Sequence, residues 1–226
     1  MNAVLFDFGG TIDTDGIHWS EKFWQLYERF RVPVGKKEFE AAFVRSENEL
    51  TKRYNLASAT FHETLRAELT SQFEILGLGT QQDSLNRMID ECYEEVKSTI
   101  ARAAKILNEF ALRYSLGVVS NFYGNLDVVC KEFGLDKLFS AKIDSVTVGV
   151  RKPDPAIFSL ALQRMSTLPH NAFVVGDSYE RDIVPAKSLG CTTIWLKGKS
   201  WNVPASTPAA DYTIHKFVDL RNILLK

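Results

Sequence analysis

Apolar residues follow two rhythms along this chain. Short uninterrupted runs rich in β-branched residues recur at Ala3–Phe6, 116–120, Ala172–Gly176, Thr192–Leu196 and, more weakly, 211–214. Between the later runs, apolar positions fall at helical spacing over 156–163, 183–189 and 217–225. Strands alternating with helices predict a parallel sheet, and runs that are apolar on consecutive residues predict burial on both faces. Over 15–95 the rhythm is helical throughout. Trp19, Phe23, Leu26, Tyr27 and Phe30 form one stripe, and Phe39, Ala42, Phe43 and Ser46 a second. Two more helices are predicted over 65–76 and 85–96. The reading is α/β: a Rossmann-like, doubly wound core formed by 1–14 and 96–226, with a helical insert at 15–95.

Composition narrows this picture only a little. The 226 residues are 45% hydrophobic and 24% charged, an ordinary globular balance. Lys and Arg number 27 against 28 Asp and Glu, for a net charge of -1. There is no basic footprint for nucleic acid and no polybasic patch for a membrane, so neither is an expected partner. No apolar run approaches the ~20 residues of a membrane span, and Met1-Asn2-Ala3 offers no basic leader segment. Cys92, Cys130 and Cys191 lie far apart, without CxxC spacing or a nearby histidine. They read as buried, reduced thiols of a cytoplasmic protein rather than a zinc site. Oligomeric state leaves no trace in the pattern.

The chemistry collects where apolar runs end. The first run ends in Asp7, followed by Gly9, Gly10 and Thr11; the second ends in Ser120-Asn121. Lys152 stands in Arg151-Lys152-Pro153-Asp154-Pro155, and the next strand delivers Asp177 and, five residues on, Asp182. In a parallel sheet such tips lie side by side, which is where ligands of open α/β sheets bind. Carboxylates, a lysine, a hydroxyl and an amide converging there suit an anionic substrate with a hard divalent cation such as Mg2+. A carboxylate held against a phosphoryl group can attack it and form an aspartyl-phosphate. Thr11 can hydrogen-bond the loop or the phosphoryl group. Glu180 and Arg181 read as a solvated pair, and Trp195 and Trp201 as packing residues.

The segments VLFDFGGTID, GVVSNF, VRKPDPAIF and VVGDSYERDI resemble, in order, the four motifs of the haloacid dehalogenase-like (HAD) superfamily. The helical insert is similar to that family's C1 type of cap. The resemblance implies Asp7 as nucleophile; Asp7, Asp177 and the Gly9 backbone carbonyl as Mg2+ ligands; and Asp182 acting through water or by orienting its neighbours. Ser120, Asn121 and Lys152 would bind the phosphoryl group of a small phosphorylated metabolite, Lys152 also serving the chemical step.

One departure stands out. Phosphatases resembling this chain carry Asp-x-Asp-x-Thr, whereas here Gly9 occupies the position of the general acid-base. Its loss typically lowers the rate about 10²–10⁴-fold. Three outcomes stay open: a phosphatase restricted to good leaving groups, a substitute among Asp13, Asp15 and His18, or a weakened binding protein on an enzyme scaffold. Dehalogenase-type chemistry fits less well, since the segment around Asp177 keeps its acidic residues. Phosphonatase-type chemistry also fits poorly, because the surroundings of Lys36 and Lys37 read as a solvated helix start.

Overall fold

The computed structural model describes residues 2–79, 81–201 and 210–226; Met1, part of the segment read for a leader, lies outside them. After strand β1 (Ala3–Phe6) a tight helical turn, Phe8–Ile12, leads into four helices: α1 (Trp19–Arg29), α2 (Lys36–Arg53), α3 (Phe61–Ile75) and α4 (Gln82–Ala111). Then follow β2 (Ser115–Ser120), α5 (Leu126–Glu132), β3 (Phe139–Asp144), α6 (Ser145–Val148), α7 (Ala156–Arg164) and β4 (Ala172–Gly176). The chain ends with α8 (Val184–Ser188), β5 (Thr192–Leu196), β6 (Tyr212–Ile214) and α9 (Arg221–Leu224).

The strands form one six-stranded parallel sheet in the order β3-β2-β1-β4-β5-β6. That is the Rossmann order, with β1 paired to β2 on one side and β4 on the other. Successive side chains of a strand face opposite sides, and β1 shows why its whole run is apolar. Val4 and Phe6 join a cluster with Leu107 and Phe110 of α4, while Ala3 and Leu5 join another with Ile157 and Phe158 of α7. The strand order reverses at the β1/β4 boundary. Asp7 follows β1 and Asp177 follows β4, so the reversal sets both carboxylates at the mouth of one crevice.

Four helices stand between β1 and β2, as the apolar stripes predict, but the last of them runs farther. With 30 residues, α4 continues through the 95/96 boundary, and Ile106, Leu107 and Phe110 pack in the same cluster as Phe23 and Phe73. Rings carry much of the packing within the insert: Tyr27 and Phe39 lie 4.7 Å apart, centre to centre, and Trp19 and Phe61 5.9 Å. The three cysteines are free and buried. Among the described residues, no helix is long and apolar enough to cross a membrane.

Candidate active site

Register delivers the first two acids. Phe6 pairs with Val175, and the amide of Asp7 donates to the Val175 carbonyl at 2.9 Å, so the sheet fixes Asp7 one residue beyond its last paired position. Thr11, fully buried in the following turn, faces back toward both tips. Its Oγ1 accepts from the Asp177 amide at 3.0 Å and lies 3.3 Å from Asp177 Oδ1 and 3.4 Å from Asp7 Oδ2. Thr11 therefore clasps the two strand tips together. Trp195, expected only to pack, also donates from Nε1 to the Asp177 carbonyl at 2.9 Å.

Lys152 reaches in from the loop before α7. Its Nζ donates to Asp7 Oδ1 at 2.5 Å and to Asp182 Oδ1 at 2.6 Å, and only 4% of the residue is exposed. Burial alone would strip its charge, but Asp182 and Asp7 outweigh it and hold the ammonium above its usual range. Asn121 was expected to bind a phosphoryl group. It lines the same cavity as Ser120 and Lys152, and its side-chain amide also holds the Lys152 backbone, donating from Nδ2 to its carbonyl at 3.0 Å and accepting from its amide at 2.8 Å. Asp182 accepts a hydrogen bond from Lys152 Nζ on one oxygen and from the Ser178 amide on the other at 3.1 Å.

Asp7, Asp177 and Asp182 each present an oxygen, and these lie within 4.8 Å of one another. One lysine cannot balance three buried carboxylates. Burial, then the charges of Asp7 and Asp182, push the Asp177 carboxyl well above its ordinary range. Asp182 is raised to about 6, by burial first, with Lys152 pulling the other way. An all-oxygen donor set with excess negative charge is what a hard divalent cation requires. These residues therefore fit Mg2+.

A cavity opens above this cluster, lined by Asp7, Gly9, Ser120, Lys152, Asp177 and Asp182 on the sheet side. From the insert, Trp19, Phe43, Glu47, Phe61 and Glu68 close it. Arg181 lines it too, with a side chain that stays 44% exposed and Nη1 3.8 Å from Glu47 Oε1, so Glu180 and Arg181 are both solvated but Arg181 has Glu47 as its partner. Glu47, Glu68 and Tyr123 were missed in the sequence. The one available signal was weak: Glu68 shares an i, i+3, i+4, i+7 face with Phe61, Thr64 and Leu65.

The three acids and bases considered as substitutes for the missing side chain part company. Asp13 is fully buried, accepting from the Gly10 amide at 2.7 Å and Trp19 Nε1 at 2.9 Å; burial raises it to about 7 against those two bonds. Asp15 accepts from the Phe217 amide at 2.6 Å, at the far end of the chain. Only His18 lines the cavity. Its Nδ1 lies 3.2 Å from the Ser20 amide and 2.8 Å from Ser20 Oγ; in the tautomer where Nδ1 accepts from the amide, the neutral ring carries its proton on Nε2. Burial first, then Arg181, holds this ring below its ordinary value.

Gly10 marks how tightly the turn is drawn. Its φ is +92°, and a Cβ there would stand 2.5 Å from the Asp177 carboxyl group. Gly10→Ala is expected to destabilise the fold by about 2–4 kcal/mol, combining backbone strain with a buried clash, as read from urea denaturation. A loss below about 0.5 kcal/mol would show that Asp177 can move freely.

A family model for haloacid dehalogenase-like hydrolases matches residues 1–190. A phosphoglycolate phosphatase of Mannheimia succiniciproducens is 31% identical over 138 residues, 60% of this chain and 58% of that protein, so the match spans little more than half of the relative. Haloacid dehalogenase-like hydrolase domain-containing protein 3 of Xenopus laevis is 25% identical over 218 residues, covering 83% of this chain and 88% of its own. Among solved structures, the Bacillus subtilis HAD-hydrolase YfnB, bound to magnesium, aligns at a TM-score of 0.61 and 19% identity over 100% of this chain and 99% of that one, a likeness of fold. Matched by the family model from its first strand to α8 and built on the same fold, this chain belongs to the haloacid dehalogenase-like hydrolases.

Proposed function

We propose that this protein is a Mg2+-dependent phosphatase of a small phosphorylated compound, working through an aspartyl-phosphate on Asp7. The observation that carries the reading is the buried cluster at the strand reversal, in which Lys152 bridges Asp7 at 2.5 Å and Asp182 at 2.6 Å beside Asp177. Asp7, Asp177 and the Gly9 carbonyl would hold Mg2+, with Asp182 behind them, and the ion would supply positive charge to the phosphoryl oxygens. The name of the Mannheimia succiniciproducens relative, a phosphatase, supports the same class of reaction.

An Asp7 oxygen attacks phosphorus as the bond to the leaving oxygen breaks, and the leaving alcohol takes up a proton. Water then attacks the acyl phosphate, releasing phosphate and restoring the carboxylate. Lys152 neutralises charge gathering on the phosphoryl oxygens, and Ser120, at the cavity floor, can donate to them. Closure of the helical insert over the cavity would exclude water during the first step. No carboxylate occupies position 9; of Asp13, Asp15 and His18, His18 is the one that lines the cavity, and its neutral ring can offer a proton to the leaving oxygen. A neutral imidazole is a weak acid, and turnover is accordingly fastest for esters whose alcohols leave without help.

Phosphate release from a panel of phosphomonoesters tests this. Release should require added Mg2+, stop on chelation and return when Mg2+ is restored. Aryl phosphates should exceed simple alkyl phosphates by about 10²-fold or more. A folded protein that hydrolyses no ester, or does so equally well with chelator present, would overturn the proposal.

A further inference from the structure

The outer wall of the cavity carries charge that the chemistry above does not use. Glu47 on α2 and Glu68 on α3 both face it from the insert. The Tyr123 hydroxyl, from the loop after β2, hydrogen-bonds Glu68 Oε1 and so ties the insert to the core beside the site. Among the described residues, Arg181 is the one guanidinium on this wall; it stands 3.8 Å from Glu47 and offsets that carboxylate. Burial and Arg181 hold the His18 ring below its usual value, which disfavours a positive charge there. Glu68 is left without a cationic partner among the described residues, on a wall that also carries the rings of Trp19, Phe43 and Phe122.

The phosphoryl group sits over Lys152 and the acidic cluster. The remainder of the substrate, its alcohol, has to lie against this wall. A second anion there would meet a carboxylate in a site walled by aromatic rings, where charges interact more strongly than in water. An ammonium there would donate a charge-assisted hydrogen bond to Glu68 and gain the attraction of the ring faces. We propose that Glu68 selects phosphate esters whose alcohol bears a positive charge, such as amino alcohols and their methylated forms, over esters whose alcohol bears a second anion. The inference rests on the phosphatase reading for its substrate class.

The same carboxyl is pushed up to about 7, by burial first and then by Glu47 and Asp13, with the Tyr123 hydrogen bond opposing. Glu47 faces it from α2, Asp13 from the turn after β1 and Tyr123 from the loop after β2. A raised carboxyl gains its charge as pH rises through about 7, so the preference for cations should strengthen from pH 6 to pH 8.

Calorimetry on Asp7→Asn protein, which cannot turn the ligands over, measures this directly with Mg2+ present. Three ligands of similar size serve as probes: 2-aminoethyl phosphate, ethyl phosphate and phosphoglycolate. At pH 8 the amine is expected to bind at least ~30-fold more tightly than phosphoglycolate, with ethyl phosphate between them. Adding Glu68→Gln should collapse that spread to about threefold or less while leaving ethyl phosphate unchanged. At pH 6 the protein with Glu68 intact should show a narrower spread, an arm that needs no substitution in the wall. Each affinity is referred to the concentration of that ligand's phosphate dianion, because the ammonium lowers and the carboxylate of phosphoglycolate raises the pKa of the phosphate. Equal affinities, tighter binding of phosphoglycolate, or a spread that survives Glu68→Gln would each overturn the assignment. Hydrolysis by the unsubstituted protein is scored separately: its absence overturns the phosphatase reading, whereas the affinity ratios judge Glu68 alone.

Discussion

Asp7→Asn should lower phosphate release by at least ~10⁴-fold while leaving the metal-free melting temperature unchanged or higher. The first half follows from chemistry, since an amide oxygen cannot form the acyl phosphate. The second follows from the crowding of charge. Asp7 is 5% exposed, and its charge is one of the forces raising Asp177, so a neutral amide relieves a repulsion in the folded state. Lys152 keeps Asp182 as a partner at 2.6 Å, and no charge is orphaned. Lys152→Met should behave in the opposite way. It leaves three buried carboxylates with no cation, and breaking a buried ion pair from one side typically destabilises by about 3–5 kcal/mol. In a chain of this length that lowers the melting temperature by on the order of 10 °C. Both variants should be inactive, so the thermal melts separate a nucleophile from a charge-balancing residue. A Lys152→Met protein as stable as the parent would mean that Lys152 does not neutralise this cluster, and a large loss in Asp7→Asn would mean that its pair with Lys152 outweighs the repulsion from Asp177.

Much of this site could be read from strand ends, and the reason is geometric. A parallel sheet brings the residue after each strand to one edge, so Asp7, Ser120 and Asp177 are located as soon as their strands are. Apolar runs are visible only where both faces are buried. β3 escaped notice because it lies at the sheet edge: Ser140 is exposed and Lys142 half-buried between Phe139, Ala141 and Ile143, which breaks the run. The seven-residue α5 carries too few turns for periodicity to register. What each polar residue does was harder to read than where it stands. Nothing in Ser120-Asn121 says that the amide of Asn121 also holds the Lys152 backbone. Glu68 and Glu47 were further out of reach. Their presence at the cavity depends on how α2 and α3 rotate about their axes against the core, and contacts such as Trp19 with Phe61 and Tyr123 with Glu68 set that phase.

Gly9→Asp is the second large effect, and the backbone is already prepared for it. Gly9 has φ −74° and ψ 119°, a conformation open to any L-residue. A Cβ there would meet Trp19 Cδ1 and Nε1 at 3.5 Å, ordinary contact, in contrast to the clash awaiting one at Gly10. The new carboxyl would arise two residues from Asp7 in a turn that lines the cavity, with Asp13 Oδ2 4.0 Å from its Cβ. A buried carboxylate on that side favours the protonated form, which is the form that donates to a leaving oxygen. Hydrolysis of alkyl phosphates should therefore rise by about 10²–10³-fold, while aryl phosphates, whose oxygens leave without a proton, should change by no more than about threefold. The two classes of ester must diverge for the argument to stand. A parallel rise in both would point to a change in binding or metal affinity, and unchanged alkyl rates in a folded variant would mean that the leaving oxygen already receives its proton from a group such as His18. That last case has its own signature, because His18→Ala in the Gly9 protein would then slow alkyl esters and spare aryl ones.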